Sequence, residues 1–205
     1  MTEEDARAWV TANFGAEAAI RIDRYAALLA IGADQQNLIA PSTVAAMWGR
    51  HLVDSAQLLL LAPPKARTWA DVGSGAGLPG IVIALLSDIA VTLIEPRRLR
   101  VMFLQNCIDH LGIGGRVTVI AAKSQNAEGG PFDVISARAV SALPALLAAT
   151  AHLVDRSTTF ILPKGASAQI EVAATQRSWH GVFHVKHSIV DPGSGIVVAT
   201  QVRRR

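Results

Sequence analysis

The chain has 205 residues, of which 51% are hydrophobic, and a formal net charge of +3, which suits one domain with a sizeable core. No apolar run reaches the roughly 18 to 20 residues that a membrane span needs, and the single cysteine, Cys107, excludes an internal disulfide and a zinc-ribbon site. The acidic start from Met1 to Asp5 is unlike a secretory signal or a transit peptide, so we expect a cytoplasmic protein.

The amino-terminal part of the chain is predicted to be helical. It is poor in β-branched residues, and Ser42 follows Pro41 as a predicted N-cap. The expected helices cover residues 5–14, 17–31 and 42–61. Pro63 and Pro64 close this region, so we predict a helical cap over residues 1–64.

From Thr68 onward, short apolar runs alternate with segments of helical pattern. The predicted strands are 68–72, 91–95, 116–121, 132–136, 158–162, 182–186 and 196–200. The predicted helices are 79–87, 97–111, 142–153 and 167–176. This alternation indicates βαβ units and a mostly parallel sheet, that is, an α/β fold over residues 65–205.

The segment between the first strand and its helix is rich in glycine. Gly73, Gly75 and Gly77 allow a tight turn with positive φ and a close approach of the backbone to a ligand. Pro79 is compatible with the first turn of the helix that follows. A strand, a glycine turn and a helix N-terminus together predict a nucleotide-type site at the carboxyl edge of the sheet.

Two kinds of nucleotide ligand are compatible with this turn. Gly75-x-Gly77-x-x-Gly80, with Glu95 about 20 residues after Gly75, matches the dinucleotide fingerprint of nicotinamide or flavin enzymes. Asp71 is outside that pattern, and an acid there can reach the ammonium group of S-adenosylmethionine while Glu95 takes the ribose hydroxyls. The segment is therefore similar to motifs I and II of class I methyltransferases, although glycines that serve only a tight turn remain an alternative.

A second group of polar residues lies in the predicted cap. His51, Asp54 and Ser55 fall on one helical face. A histidine and an acid at this spacing are most often only a surface or half-buried hydrogen bond. Asn37-Leu38 and Arg50 beside them extend the pattern into a possible site.

Positive charge collects after several predicted strand ends, at Arg97, Arg98, Arg100, Arg138 and Lys164. Cations at the ligand edge would attract phosphates, whereas scattered solvated arginines are the alternative. We interpret the terminal Arg203-Arg204-Arg205 as a solvated end.

These strings together resemble the bacterial 16S ribosomal RNA guanine-N7 methyltransferases that act near the decoding site. The similarity runs in family order over about residues 20 to 165 and rests most on the Leu-Pro-Gly that ends at Gly80. The matching strings are Asn37-Leu38, Arg50-His51-Leu-Val-Asp54-Ser55, Asp71 to Gly80, Leu93-Ile-Glu95, Phe103-Leu104, Leu111-Gly112, Phe132-Asp133, Ser136-Ala-Arg138-Ala139 and Lys164-Gly165. The resemblance implies a seven-stranded class I methyltransferase sheet with a helical cap.

The resemblance also implies roles for individual residues. S-adenosylmethionine would be bound by Asp71, Gly73, Gly75, Gly77, Leu78, Glu95, Ser124, Gln125 and Arg138. Asn37, His51 and Arg138 would position the acceptor base. RNA would be bound by Arg50, Lys123, Arg138 and Lys164. The implied partner is 16S rRNA or the 30S subunit, and we expect a monomer that needs neither a metal nor a membrane.

The chain departs from the family pattern at three places. The usual Arg-x-Glu after the third strand reads Lys123-Ser124-Gln125, the usual paired lysines read Leu99-Arg100, and the usual Arg-His before the last strand reads Ser194-Gly195. Each change removes a charge that would serve RNA or cofactor binding. A methyltransferase for another substrate, or a weakened rRNA-binding member of the family, therefore remains an alternative.

The expected chemistry needs no general base, because guanine N7 carries a free lone pair and no proton. The sequence offers no catalytic cysteine pair for cytosine C5 chemistry, since Cys107 stands alone. It also lacks the Asp/Asn-Pro-Pro-aromatic string that serves methylation of exocyclic amines.

Overall fold

The computed structural model describes residues 1–205. Its centre is one seven-stranded sheet with the order β3-β2-β1-β4-β5-β7-β6. The strands are β1 (Thr68–Val72), β2 (Ala90–Ile94), β3 (Val117–Ile120), β4 (Val134–Ala137), β5 (Thr159–Gly165), β6 (Trp179–His187) and β7 (Gly195–Arg204). All pairings are parallel except those of β7, which runs antiparallel to both of its neighbours. The predicted seven-stranded α/β sheet of the class I methyltransferase type is confirmed.

The register places Asp71 in the middle of the sheet, opposite Leu93 of β2 and Ser136 of β4. The last two strands are longer than predicted, because each supplies the hydrogen-bond partners of the other along almost its whole length. Arg203 and Arg204 belong to β7 and pair with β6. The expectation of a solvated tail is therefore wrong for their backbone, although their side chains are exposed.

Four helices connect the strands. They are α4 (Gly80–Leu86), α5 (Arg98–Leu111), α6 (Leu143–Ala149) and α7 (Ala168–Thr175). All four lie within the predicted ranges. Pro79 precedes α4 at its N-cap position instead of occupying its first turn, and Gly112 ends α5 in the left-handed conformation, as a glycine C-cap commonly does.

The cap begins with α1 (Glu3–Phe14) and α2 (Ala16–Gln35). Thr2 and Asp5 form a reciprocal capping box at the start of α1, which satisfies N–H groups that the helix itself leaves without partners. No helix combines the length and the apolar character needed to cross a membrane.

The predicted helix over residues 42–61 is helical along its whole length, but it is not one regular α-helix. The segment consists of 3-10 turns (Pro41–Ala46), a π turn (Trp48–Val53), the short helix α3 (Asp54–Ala56) and further 3-10 turns (Gln57–Leu61). Its N-cap is Ala40, and Ser42 lies inside the first turn without a side-chain cap bond. At the π turn the N–H groups of Trp48 and Gly49 donate to the distant Glu3 carboxylate.

Two apolar clusters hold the layers together, one on each face of the sheet. The larger has 31 buried residues and includes cap residues such as Ile22 and Leu29 beside Ile81 of α4. The smaller has 18 buried residues and lies under α6 and α7. Each fully buried aliphatic side chain contributes roughly 1.5–3 kcal/mol, so the cap is fixed to the sheet by the main core.

Candidate functional site

The glycine turn after β1 opens into a cavity of about 670 Å³ at the carboxyl edge of the sheet. The turn between Gly73 and Ala76 forms one wall, and the ends of β2 and β4 form others. The cavity lies where parallel α/β sheets bind nucleotides.

Backbone conformation explains the first glycines of the turn. Gly75 has φ of 56° and Gly73 has φ of 68°, values that L residues with a side chain rarely adopt. A Cβ at Gly73 would also stand 2.5 Å from the Val140 side chain. The bare backbone therefore keeps the cavity open.

Glu95, directly after β2, shapes the same turn. Its Oε2 accepts the Gly75 N–H at 2.9 Å, and its Oε1 accepts the Arg97 N–H at 2.9 Å. The residue is only 2% exposed, yet it lines the cavity. Glu95 thus ties the end of β2 to the glycine turn.

Asp71 does not line this cavity, contrary to the expectation that it contacts the ligand directly. It is fully buried, where Oδ1 accepts from the Ser136 hydroxyl at 2.8 Å and Oδ2 accepts from the Gly80 N–H at 3.1 Å. Burial raises the pKa of Asp71 from 3.8 to about 6. The side chain therefore holds Gly80, the first residue of α4, from within the core.

Gly77 also lies outside the cavity lining. A Cβ there would collide with Ile81 and would come within 3.1 Å of the Tyr25 hydroxyl. Gly77 therefore serves the packing of the turn against the cap.

Tyr25 of α2 is a contributor that the sequence reasoning missed. Its hydroxyl donates a 2.6 Å hydrogen bond to the carbonyl oxygen of Ala76 in the glycine turn. Ile22, Tyr25 and Leu29 are all fully buried on one face of α2, a spacing that predicts core. The sequence could have indicated this contact, because Tyr25 is the only tyrosine in the chain and a buried phenol usually finds a hydrogen-bond acceptor.

Several other predicted cofactor residues do line the first cavity. Leu78, Ser124, Gln125 and Arg138 form parts of its wall, together with Lys123. Arg97 and Arg100 add positive charge on the same edge. The structure thus brings together the predicted residues from four separate strand ends.

A second cavity of about 610 Å³ adjoins the first. The two share the segment from Arg138 to Ser141, and the second continues to Lys164 and Asp54. Arg138 Nη1 lies 3.2 Å from His51 Nδ1 and 3.9 Å from Asp54 Oδ2. The cap therefore holds the side chain that separates the two cavities.

The contacts of His51 define its protonation. An arginine can only donate, so His51 Nδ1 accepts from Arg138 and the ring hydrogen lies on Nε2, which is 2.7 Å from Thr43 Oγ1. Thr43 in turn donates to the carbonyl oxygen of Ala40 at 2.7 Å. Burial, and then the nearby Arg138 and Arg50, lower the pKa of His51 from 6.5 to about 4, so the ring is neutral at physiological pH.

The remaining predicted residues are placed differently. Lys164 lines the second cavity, where its Nζ donates to the Ser141 carbonyl at 2.6 Å and pairs with Glu171 at 3.1 Å. Asn37 and Arg50 are exposed and line neither cavity. Leu38, beside Asn37, reaches the first cavity.

The first cavity fits the S-adenosylmethionine expected there. Side chains on the turn glycines would clash or be strained, a carboxylate stands at the end of β2, and cations line the rim. No group of three or more histidine, cysteine, aspartate or glutamate side chains is arranged to hold a metal ion.

Comparison with known proteins gives sequence relatives over almost the whole chain. The family model described as rRNA small subunit methyltransferase G matches residues 19–195. A ribosomal RNA small subunit methyltransferase G of Rhizorhabdus wittichii is 42% identical over 207 residues, covering 100% of this chain and 95% of the relative. The ribosomal RNA small subunit methyltransferase G of Zymomonas mobilis subsp. mobilis is 41% identical over 212 residues, covering 98% of this chain and 95% of the relative.

Solved structures show the same fold at low sequence identity. Cofactor-bound Rv0187 from MTB superposes with a TM-score of 0.66 at 15% identity, covering 94% of each chain. An O-methyltransferase from Bacillus cereus in complex with SAH superposes with a TM-score of 0.61 at 15% identity, covering 94% of this chain and 95% of that one.

Proposed function

Since this chain belongs to the rRNA small subunit methyltransferase G family, we propose that it methylates N7 of a guanine in 16S rRNA near the decoding site. Family membership makes it an S-adenosylmethionine-dependent methyltransferase that acts on ribosomal RNA. The position on the base and the place in the RNA are the proposal.

The observation that carries the proposal is the pair of adjoining cavities with Arg138 between them. One has the features of a cofactor site, and the other has room and polar groups for a base. Bound S-adenosylmethionine supplies an electrophilic methyl group. Because N7 presents a lone pair without a proton, this chain has only to hold the base in line, and such positioning can lower a barrier by roughly 7–11 kcal/mol.

The proposed roles follow the placement of each residue. Gly73, Gly75, Leu78, Glu95, Ser124, Gln125 and Arg138 bind the cofactor, while Asp71 and Gly77 support the turn. His51 positions Arg138 at the entrance to the base cavity, and we propose that the exposed Asn37 meets the acceptor base from the cap. Arg50, Lys123 and Lys164 meet RNA phosphates, and a neutral His51 keeps positive charge off the purine that becomes cationic.

In the proposed division of labour, residues 1–64 form a cap that contributes RNA contacts such as that of Arg50. Residues 65–205 bind the cofactor and contribute the RNA contacts of Lys123 and Lys164. The proposed partner is 16S rRNA, as free RNA or in the 30S subunit. We further propose that the protein works as a cytoplasmic monomer. No metal is proposed, because methylation of a nitrogen lone pair needs no Lewis acid.

The decisive experiment is methylation of 30S subunits in vitro, followed by nuclease digestion and mass spectrometry of the nucleosides. The proposal expects 7-methylguanosine, with a rate that shows no essential ionisation between pH 6 and 9, a range of about three units in which a general base would be visible. Label on any other position of 16S rRNA would overturn it.

A weakened rRNA-binding member of the family is the second candidate. It is favoured by the uncharged Ser194 and Gly195, which line the second cavity where the family pattern has Arg-His. The same assay separates the two candidates, because binding of 30S subunits without any methyl transfer would support the weakened member.

A further inference from the structure

Asp54 contributes an available carboxylate oxygen to the second cavity. The side chain is 19% exposed and lies on α3. Its Oδ1 accepts from Gln57 Nε2 at 2.8 Å and from the Ser188 hydroxyl at 3.4 Å. Its Oδ2 makes no hydrogen bond and stands 3.9 Å from Arg138 Nη1, which is too long for one.

This oxygen is not fully buried. Trp48 Nε1 is the only buried side-chain nitrogen or oxygen without a partner, so the unbonded Oδ2 of Asp54 is not sealed in the core. Gln57 fixes the carboxylate from one side, and its own Oε1 accepts the Ile189 N–H at 3.0 Å. A carboxylate held at one oxygen and open at the other is prepared to accept donors from a ligand.

The other carboxylate of the cavity is already engaged by the protein. Glu171 accepts from the Leu143 N–H at 2.8 Å and from the Ser167 hydroxyl at 2.9 Å, and it pairs with Lys164 at 3.1 Å. Asp54 is therefore the acid of this cavity that keeps one oxygen, Oδ2, without a hydrogen-bond donor.

Among the four RNA bases, only guanine carries two hydrogen-bond donors side by side on its Watson–Crick edge, N1–H and N2–H₂. An ionised carboxylate offers acceptors only, so it pairs with that edge and not with adenine, which presents a donor beside an acceptor. Enzymes that act on extruded bases commonly read this edge. It lies on the opposite side of the purine from N7, so a base with N7 toward the first cavity turns this edge toward the far wall.

We propose that Asp54 recognises the acceptor guanine in the second cavity by accepting hydrogen bonds from N1–H and N2–H₂ at its open Oδ2, which has two lone pairs. This inference rests on the proposed function. Asp54 is a specificity residue for the base, distinct from the residues that hold the cofactor.

The test replaces the acceptor guanosine with inosine, which keeps N7 and N1–H and lacks the 2-amino group, in 30S subunits reconstituted with ligated 16S rRNA. The wild-type protein should lose roughly tenfold to a hundredfold in kcat/KM on inosine, the range for a hydrogen bond to a charged group. On guanosine, kcat/KM of Asp54→Asn should be lower than that of wild type by a similar factor. Replacing guanosine with inosine should lower kcat/KM of Asp54→Asn much less than it lowers that of wild type. The remaining guanosine-to-inosine ratio in the variant measures the different intrinsic reactivity of the two bases.

Glu171→Gln is the matched control, since it changes a carboxylate to an amide in the same cavity. It should keep the wild-type ratio of guanosine to inosine rates whatever its absolute rate. Circular dichroism, expected to match the wild-type spectrum in Asp54→Asn, checks that the variant is folded.

The outcomes are distinct. Equal wild-type rates on guanosine and inosine overturn the role of Asp54 without any variant, and so does an Asp54→Asn protein with the wild-type ratio. If wild-type protein forms no 7-methylguanosine in unmodified 30S subunits, the proposed function fails and this inference fails with it.

Discussion

The hydroxyl of Tyr25 donates a 2.6 Å hydrogen bond to the carbonyl oxygen of Ala76, across 51 positions of sequence. Burial raises the pKa of Tyr25 well above its ordinary value, so the phenol stays protonated and remains a donor. The cap therefore supports the glycine turn directly. Residues that bind no ligand themselves can in this way set the affinity of the first cavity.

Tyr25→Phe should weaken S-adenosylmethionine binding. The change leaves the Ala76 carbonyl without this donor, at a cost of about 1–3 kcal/mol, part of which is paid when the turn must order around the ligand. We expect a several-fold higher KM for the cofactor with kcat retained, measured by steady-state kinetics and calorimetry. Ile22→Val, on the same buried face of α2, should lower stability with no change in cofactor affinity, and equal affinities in Tyr25→Phe and wild type would refute this role.

Gly75→Val should abolish cofactor binding while the fold persists. With φ at 56°, a β-branched residue costs at least about 1–2 kcal/mol in backbone strain, and the turn would shift to relieve it. The nearest atom to the added Cβ is Arg100 Nη1 at 3.4 Å, so no core contact is broken. Gly115→Ala is the control because nothing lies within 4 Å of its Cβ position. Circular dichroism and calorimetry are the measurements, and undiminished binding in Gly75→Val would place the cofactor elsewhere.

The pH dependence of stability should carry the signature of His51. Its pKa in the folded chain is about 4, below the ordinary 6.5, so the unfolded chain binds more protons between these values. Its contribution to stability is full above pH 6.5 and is lost as the pH falls toward 4. His51→Gln should therefore flatten the rise of unfolding free energy with pH in this window, as measured by urea denaturation at several pH values.

Asp71 should change the free energy of unfolding with pH in the opposite direction to His51, over an overlapping pH range. Its folded pKa of about 6 exceeds the ordinary 3.8, so the folded chain holds the extra proton and stability falls as the pH rises from 3.8 to 6. Asp71→Asn should steepen the net rise that His51 causes. A pH profile identical to wild type in both variants would contradict these two assignments.

RNA affinity should fall with rising salt, and Arg50 should contribute to the slope. Its side chain is exposed beside His51 and lines neither cavity, so it is available to a phosphate. Arg50→Ala should reduce the salt slope by about one and leave cofactor affinity unchanged. Lys65→Ala, an exposed cation just before β1 at the other edge of the sheet, should leave the slope as in wild type. Filter binding of 16S rRNA at several salt concentrations decides the matter.

The sequence predicted the parts of the structure that are set by local pattern. The run from Thr68 through the glycine turn to α4 follows from strand, glycine and helix signals that are adjacent in the chain. The family resemblance then grouped distant strings, and Leu78, Glu95, Ser124, Gln125 and Arg138 do meet at one cavity.

Contacts between distant segments were beyond such reasoning. Arg138 and His51 are 87 positions apart, and nothing local signals their hydrogen bond. The helical segment at 41–61 mixes 3-10, π and α turns and bonds the distant Glu3 carboxylate, and helix propensity alone reveals neither feature. The sequence position of Asp71 beside the glycine turn suggested a contact with the ligand. That position does not reveal that the carboxylate is instead bonded to the Ser136 hydroxyl and the Gly80 N–H.

The placement of β7 between β5 and β6 has a consequence for the order in which the chain is made. The residues that line the first cavity end at Ala149, whereas the second also needs Ser188, Ser194 and the two residues that follow. During synthesis from the amino terminus, the cofactor half of the site is therefore complete in sequence before the acceptor half. Only after the last two strands have been made and have paired beside β5 does the nascent protein possess both halves.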